Sequence, residues 1–75
     1  MLQQTTIIAY LDAIVSEGTF TQAAKSLYIS QPYLSKTITK LEDELQTKLV
    51  ERNRTPMELT YAGERFLTHM KKMQN

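Results

Sequence analysis

The sequence predicts a mainly α-helical domain in which three helices form a core, a two-stranded β ribbon follows, and a fourth helix ends the chain. Apolar residues recur at helical spacing in four stretches, and one short stretch near residues 49–59 has the composition of two strands around a turn. With 75 residues the chain is one small domain. A domain of this size buries only about 60% of its unfolded surface, so pairing of two copies would add stability.

The first helix is predicted from Gln4 to Glu17. Its apolar residues fall on one face, and Gly18 follows as a helix stop, because glycine readily adopts the left-handed conformation that ends helices. The predicted buried stripe is Ile7, Ile8, Leu11, Ile14 and Val15.

A second, short helix follows, and its start can be read in two ways. Thr19 and Gln22 have the spacing of a capping box, whereas Thr21 could instead be the N-cap. Small and apolar residues then allow close packing against a neighbour, namely Ala23, Ala24 and Leu27. A turn at residues 28–29 leads into the third helix.

The third helix is predicted over residues 31–46, with Ser30 as N-cap and Pro32 in the first turn. One face is apolar, with Leu34, Ile38, Leu41 and Leu45 at spacings of four, three and four. The opposite face is polar and basic, with Pro32, Tyr33, Lys36, Thr39 and Lys40. Two short helices joined by a tight turn form a helix-turn-helix, in which the second helix lies in a DNA major groove.

The ribbon is predicted as strands 49–52 and 57–59 around a turn. Its tip carries Arg52 and Arg54, which suits a wing beside a helix-turn-helix. A ribbon of this size is marginally stable alone, so we expect it to lean on the helices. The sequence therefore predicts a winged helix-turn-helix.

The last helix is predicted from Tyr61 to about Gln74, capped by Thr60. Its apolar residues are Ala62, Phe66, Leu67, Met70 and Met73. They could form a core helix with a frayed tail, or they could pair with a second copy of the chain, since exposed apolar stripes usually mark interfaces. We favour the second interpretation and expect a homodimer through this helix.

The distribution of charge along the chain, rather than the total charge, supports the prediction that the protein binds nucleic acid. The formal net charge is only +1, but no acidic residue lies between Gly18 and Leu41, a stretch that contains Lys25, Lys36 and Lys40. Such a basic patch suits a phosphate-binding surface. Three lysines are also what an ordinary solvated helix face carries.

Features of enzymes and metal sites are weak in this sequence. There is no cysteine, and His69 is the only histidine. The run from Glu42 to Glu44 splays around a helix, so its carboxylates cannot converge as a catalytic pair. We expect a protein that is not an enzyme and takes no metal or cofactor. With no targeting or membrane-spanning segment in the sequence, we expect it in the cytoplasm.

The residues resemble the N-terminal domain of LysR-type transcriptional regulators. The resemblance is carried by Gly18-Thr19-Phe20-Thr21-x-Ala23-Ala24-x-x-Leu27-x-Ile29-Ser30-Gln31-Pro32-x-Leu34-Ser35-Lys36-x-Ile38-x-x-Leu41-Glu42, by Leu49-Val50-x-Arg52 and by Leu59-Thr60-x-Ala62-Gly63. It covers almost the whole chain. Two positions depart from the family pattern, because Gln46 stands where the family usually has glycine and Val50 where it has Phe or Leu.

The resemblance implies sequence-specific binding of double-stranded operator DNA by a homodimer. It divides the chain into a winged helix-turn-helix domain, residues 1–59, and a linker and dimerisation helix, residues 60–75. Family members also carry an effector-binding domain that is absent from this chain. We therefore expect an excised or partial sequence, and we expect any small-molecule effector to act through that missing domain.

Roles on the DNA follow as hypotheses for the third helix. Gln31 can read an adenine edge, and Pro32 and Tyr33 can contact a thymine methyl group. Lys36 can read guanine or hold a phosphate, and the sequence does not choose between them. Contacts to the phosphate backbone of the DNA are expected from Thr21, Gln22, Thr39 and Lys40. Ser30 and Ser35, on or beside the same surface, are also expected to contact the DNA.

The wing arginines can enter the adjacent minor groove. One of them could instead be structural, since an arginine in a small ribbon often pairs with a helix acid such as Glu42. Arg54 is nearer the tip and the better candidate for DNA, whereas Arg52 is open to both readings.

The competing function is a winged-helix protein–protein interaction module, because one fold serves many functions. Such a module should place acidic or apolar residues on the outer face of the third helix. The polar and basic side chains predicted there favour DNA instead.

Overall fold

The computed structural model describes residues 2–74 and contains the expected elements in the expected order. The domain consists of four helices and a two-stranded antiparallel ribbon, in which Val50 pairs with Leu59 and Glu51 with Glu58. The elements are α1 (Gln4–Glu17), α2 (Phe20–Leu27), α3 (Gln31–Leu45), β1 (Val50–Glu51), β2 (Glu58–Leu59) and α4 (Tyr61–Lys72).

Hydroxyl side chains cap three of the helices. The Oγ atoms of Thr19, Ser30 and Thr60 each accept a hydrogen bond from the backbone N–H three residues later, at 3.1, 3.2 and 2.9 Å. Each bond satisfies an N–H group that has no partner within its helix. Thr19 rather than Thr21 is therefore the N-cap of α2, and the predicted caps of α3 and α4 are confirmed.

Left-handed residues end the first three helices. Gly18 has φ 83°, as expected for a glycine stop, but Tyr28 and Gln46 adopt the same region with φ 60° and 56°. The Gln46 side chain offsets part of the cost, since its Nε2 donates to the carbonyl oxygen of Asp43 at 2.7 Å. The helix therefore ends without the glycine that usually stands at this position.

The core is formed by the apolar faces of all four helices and by the base of the ribbon. Two residues predicted to join it are exposed instead: Val15 is 46% and Leu45 36% exposed. Val15 lines an open groove between α1, β2 and α4, and Leu45 is the final residue of α3. The predictions for these two side chains were wrong because spacing identifies a face but not where its covering neighbours stop. The buried apolar residues are Ile7, Ile8, Leu11, Ile14, Ala23, Ala24, Leu34, Ile38, Leu41, Leu49, Val50, Met57, Leu59, Leu67 and Met70.

The ribbon is shorter than predicted, but its base is held closely by α4. The Thr60 hydroxyl donates to the carbonyl oxygen of Lys48 at 2.7 Å. At Gly63 a Cβ atom would overlap the carbonyl oxygen of Leu49, so only glycine lets the two backbones approach this closely. The first turn of α4 thus fixes the ribbon against the helices.

The final helix belongs to the same core. Leu67 and Met70 are buried, Lys71 pairs with Asp12 of α1 at 3.2 Å, and the Gln74 amide donates to the Thr5 hydroxyl at 2.9 Å. α4 therefore packs against the rest of the domain along its length. The division into residues 1–59 and 60–75 is a proposal about the function of the two parts and does not describe two separately packed units. Over residues 2–74, no helix is both long enough and apolar enough to cross a membrane.

Candidate nucleic-acid interface

The outward face of α3 is the polar and basic face predicted from the sequence. Leu34, Ile38 and Leu41 are buried on the opposite side, which fixes the rotation of the helix about its axis. The residues exposed on the outward face are Gln31, Pro32, Tyr33, Lys36, Thr39 and Lys40. This orientation leaves the side chains free to contact a ligand.

Residues that flank this face are also accessible. Thr21 and Gln22 are exposed in the first turn of α2, and Ser30 is exposed at the start of α3. Ser35 is half-buried, at the edge of the outward face. The predicted site residues of α2 and α3 therefore lie on two packed, consecutive helices joined by a turn of three residues.

Tyr33 is less free than its neighbours. It is 49% exposed, and its hydroxyl lies beside that of Tyr10 in α1. Burial raises the pKa of the Tyr10 phenol above its ordinary value of 10.0, and the proximity of Tyr33 adds to the rise. Tyr10 is consequently a neutral neighbour of Tyr33 at physiological pH.

A buried carboxylate joins α3 to the ribbon. The Glu42 side chain is only 1% exposed, and its Oε2 accepts hydrogen bonds from the backbone N–H groups of Leu49 and Val50 at 2.7 and 3.2 Å. Its Oε1 accepts from Arg52 Nη2 at 2.6 Å. Both oxygens are thus used, as a buried charge requires. We call this set the Glu42 clamp.

The contacts of the clamp also set the charge of Glu42. Burial alone would raise the pKa of the carboxyl, but the hydrogen bonds from Leu49, Arg52 and Val50 and the positive charge of Arg52 outweigh that effect. The net result is a pKa below the ordinary value of 4.5. Glu42 is therefore ionised in the folded domain.

The two wing arginines have different environments. Arg52 is 31% exposed, lies over the Phe20 ring at 5.1 Å, and donates to the Thr39 hydroxyl at 3.3 Å as well as to Glu42. The structural alternative for Arg52 is thus the one the geometry supports. Arg54 is 64% exposed and pairs only loosely with Glu58, at 3.3 Å.

Lysines supply the remaining charge of the surface. Within residues 2–74 the ion pairs involve Arg52, Arg54 and Lys71, so Lys25, Lys36 and Lys40 form none. All three are exposed. Their charges are therefore available to an anionic partner.

Only part of this site could be predicted from the sequence. Pairing of Glu42 with Arg52 was one of the two predicted alternatives, but the hydrogen bonds from the N–H groups of Leu49 and Val50 to Glu42 were not predicted. The available signal was the position of Glu42 four residues after Ile38, which places this acid on the apolar face of α3. In the described part of the chain, no three His, Cys, Asp or Glu side chains are grouped so as to hold a metal ion.

The predicted interface residues of α4 divide into two groups. Leu67 and Met70 are buried within this domain, where their side chains pack against residues of their own chain. Ala62 and Phe66 are half-buried and Met73 is 51% exposed.

An exposed polar helix face on a helix-turn-helix, with a ribbon clamped beside it, defines a winged helix-turn-helix domain of the DNA-binding class. Comparison with known families matches residues 6–64 to the bacterial regulatory helix-turn-helix proteins of the lysR family. The chain belongs to this family. It is the DNA-binding domain of a LysR-type transcriptional regulator.

Relatives and solved structures agree with this assignment. The chain is 47% identical over 57 residues to the HTH-type transcriptional regulator YdcI of Escherichia coli K12, covering 76% of this chain and 19% of YdcI. It is 43% identical over 72 residues to a probable RuBisCO transcriptional regulator of Trieres chinensis, covering 96% and 22%. The chain thus spans about a fifth of the length of these relatives.

The fold also matches a domain solved with DNA. The crystal structure of the BenM DNA-binding domain with catB site 1 DNA superposes with a TM-score of 0.81 at 38% identity, covering 96% of this chain and 76% of that one. The CbnR DNA-binding domain in complex with DNA gives a TM-score of 0.79 at 32% identity, covering 96% and 82%.

The Glu42 clamp predicts a pH-dependent stability. Because the folded pKa of Glu42 is lowered, its contribution is full above the ordinary value near 4.5 and is lost as the pH falls through the folded pKa. Glu42→Gln should cost about 2–3 kcal/mol of unfolding free energy at pH 7 and flatten the decline in stability as the pH falls below 4.5 and through the folded pKa of Glu42. Urea unfolding over this range measures both effects.

Asp43→Asn provides the matched control, since Asp43 is the exposed neighbour of Glu42 on the same helix. Its acid decline should follow that of the unmodified chain. Parallel curves for Glu42→Gln and the unmodified chain would show that the clamp contributes no pH dependence.

Proposed function

We propose that this domain binds double-stranded operator DNA sequence-specifically as a homodimer, with α3 in the major groove and the ribbon against the adjacent minor groove. The observation that carries the proposal is the outward, polar and basic face of α3. The DNA complexes of the BenM and CbnR domains support it, because both share this fold.

Base recognition is assigned to the first turns of α3. Gln31 is exposed at the N-terminal end of the helix, where its amide can bond an adenine edge bidentately. Pro32 and the exposed part of the Tyr33 ring offer apolar surface to a thymine methyl group. Lys36, one turn on, can reach guanine or a phosphate. Ser35, at the edge of the same face, can contact the DNA beside these residues.

Contacts to the phosphate backbone of the DNA set the register of the domain on the duplex. Thr21 and Gln22 at the start of α2, and Lys40 on α3, are exposed and carry groups that bond or attract phosphate oxygens. Ser30 accepts the capping hydrogen bond from the Tyr33 N–H, and its exposed hydroxyl can still donate its proton to a phosphate oxygen. Thr39 accepts from Arg52 and can still donate its hydroxyl proton.

The wing contact is assigned to Arg54. Its pairing with Glu58 is between exposed side chains and therefore weak, so the guanidinium can turn towards a minor groove at little cost. Arg52 instead acts through position, because the Glu42 clamp and the Phe20 ring hold it at the base of the wing. One arginine thus orients the ribbon and the other contacts DNA.

The dimer is assigned to one flank of α4. Ala62, Phe66 and Met73 are spaced at four and seven residues, so they fall on one side of the helix next to its buried face. Leu67 and Met70 support this flank from beneath. A small domain gains stability by covering such a stripe with a second copy.

The remaining parts of the proposal concern the longer protein. Because the relatives are about four times as long as this chain, a separate domain can supply the sensing of a small-molecule effector. The DNA-binding domain would act where the DNA lies, which in a bacterium is the cytoplasm.

Substitutions on α3 separate base reading from phosphate binding. Gln31→Ala should weaken binding to a selected operator by about 1–3 kcal/mol and leave random duplex DNA almost unaffected, because only a base contact is lost. Lys40→Ala should weaken binding to both duplexes alike and reduce the magnitude of the dimer's salt slope by about two, one for each copy. Fluorescence anisotropy titrations at several salt concentrations measure these quantities.

The unmodified chain provides the reference for these titrations. If each copy neutralises about four phosphates, log affinity of the dimer should fall with log salt at a slope near −7. Equal losses on both duplexes for Gln31→Ala would remove its base-reading role. Absence of micromolar binding to any duplex at low salt would favour the protein-interaction module instead.

The flank of α4 predicts the outcome of a charge substitution. Met73→Glu should shift the domain from dimer to monomer in sedimentation velocity, since two buried carboxylates would face each other without partners. Thr68→Glu, on the other side of α4, is the matched control and should leave the dimer intact. Unchanged dimers for Met73→Glu would place the interface elsewhere.

A further inference from the structure

Tyr28 is the most unusual side chain on the surface. It ends α2 in the left-handed conformation, with φ 60° and ψ 38°, and it is 95% exposed. Glycine and asparagine are the usual residues at such positions, because a Cβ atom makes the conformation costly. A large aromatic residue here is unfavourable for the backbone and gains almost nothing from burial.

The backbone around Tyr28 is nonetheless well fixed. The Tyr28 N–H donates to the carbonyl oxygen of Lys25 at 3.2 Å, and the Ile29 N–H donates to that of Ala24 at 3.0 Å. Ile29 is half-buried against the core. The turn therefore fixes the point at which the Tyr28 side chain leaves the backbone, without requiring the ring for its own stability.

The surroundings of Tyr28 attract anions. Lys25 is exposed one turn earlier, and the N-terminal end of α3, with its partial positive charge, begins three residues later. Gly18 to Leu41 contains no acidic residue. Three residues of chain span at most about 10 Å, so Tyr28 lies close to Gln31 at the end of α3 assigned to base reading.

We propose that the Tyr28 hydroxyl donates a hydrogen bond to a backbone phosphate of the DNA, at the edge of the major groove that holds α3. The inference rests on the proposed function. A phosphate ligand accounts for an exposed phenol at a strained position, since Tyr28 lies beside Lys25 and just before the helix that enters the groove. The contact fixes register and carries no base preference.

Two substitutions at Tyr28 test the contact. Tyr28→Phe keeps the ring and removes only the hydroxyl, and Tyr28→Asn suits the left-handed backbone. Both should weaken binding about fivefold to tenfold on operator and random duplexes alike, with an unchanged salt slope because no charge is lost. Thermal unfolding should show Tyr28→Asn to be at least as stable as the unmodified chain, which separates lost affinity from lost folding.

Tyr61→Phe is the matched control, because Tyr61 is 78% exposed on α4, away from the helix-turn-helix. It should bind as the unmodified chain does. Affinities of both Tyr28 variants within twofold of the unmodified chain would overturn the inference, as would a loss confined to the operator. If the unmodified chain itself binds no duplex, the proposed function fails, and the inference with it.

Discussion

The rest of the structure depends on the buried carboxylate of Glu42. It projects from α3, accepts the N–H groups of Leu49 and Val50, and pairs with Arg52. A buried charge is tolerated only when it is fully paired, so the three partners are held in place as firmly as the carboxylate itself. One side chain thereby makes the recognition helix and the base of the wing a single rigid unit. Without it, a ribbon with two paired residues in each strand would be marginal.

In α3, in the wing and in α4, one set of side chains is fixed by packing while another stays exposed. The apolar face of α3 is fixed in the core, so its polar face is necessarily outward and its side chains need no further support to remain exposed. The wing repeats this division: Arg52 is held between Glu42 and the Phe20 ring, while Arg54 at the tip is only loosely paired. At α4, Leu67 and Met70 complete the core and leave a neighbouring apolar flank open.

Helix boundaries could be predicted from sequence because they depend on local chemistry, as the caps at Thr19, Ser30 and Thr60 show. The faces of the helices were predicted for the same reason. The tertiary structure was needed to show how far neighbouring elements bury each helix face. Spacing assigned Val15 and Leu45 to the core, but no neighbour reaches far enough to bury them. It also could not separate Leu67 and Met70, which face this domain, from Met73, which does not. Gln46 ends α3 in the left-handed conformation for which the family usually has glycine, and its side chain donates a hydrogen bond that offsets part of the cost.

The central claim is that the start of α2, the outward face of α3 and the tip of the wing form one DNA-binding surface. A titration of the ¹⁵N-labelled domain with a selected operator duplex, followed by amide chemical shifts, tests it most directly. We expect the largest changes at residues 19–22, 28–40 and 52–56, with small changes along α1 and over the groove beside Val15. Changes concentrated on α1 and α4, with α3 unaffected, would contradict it.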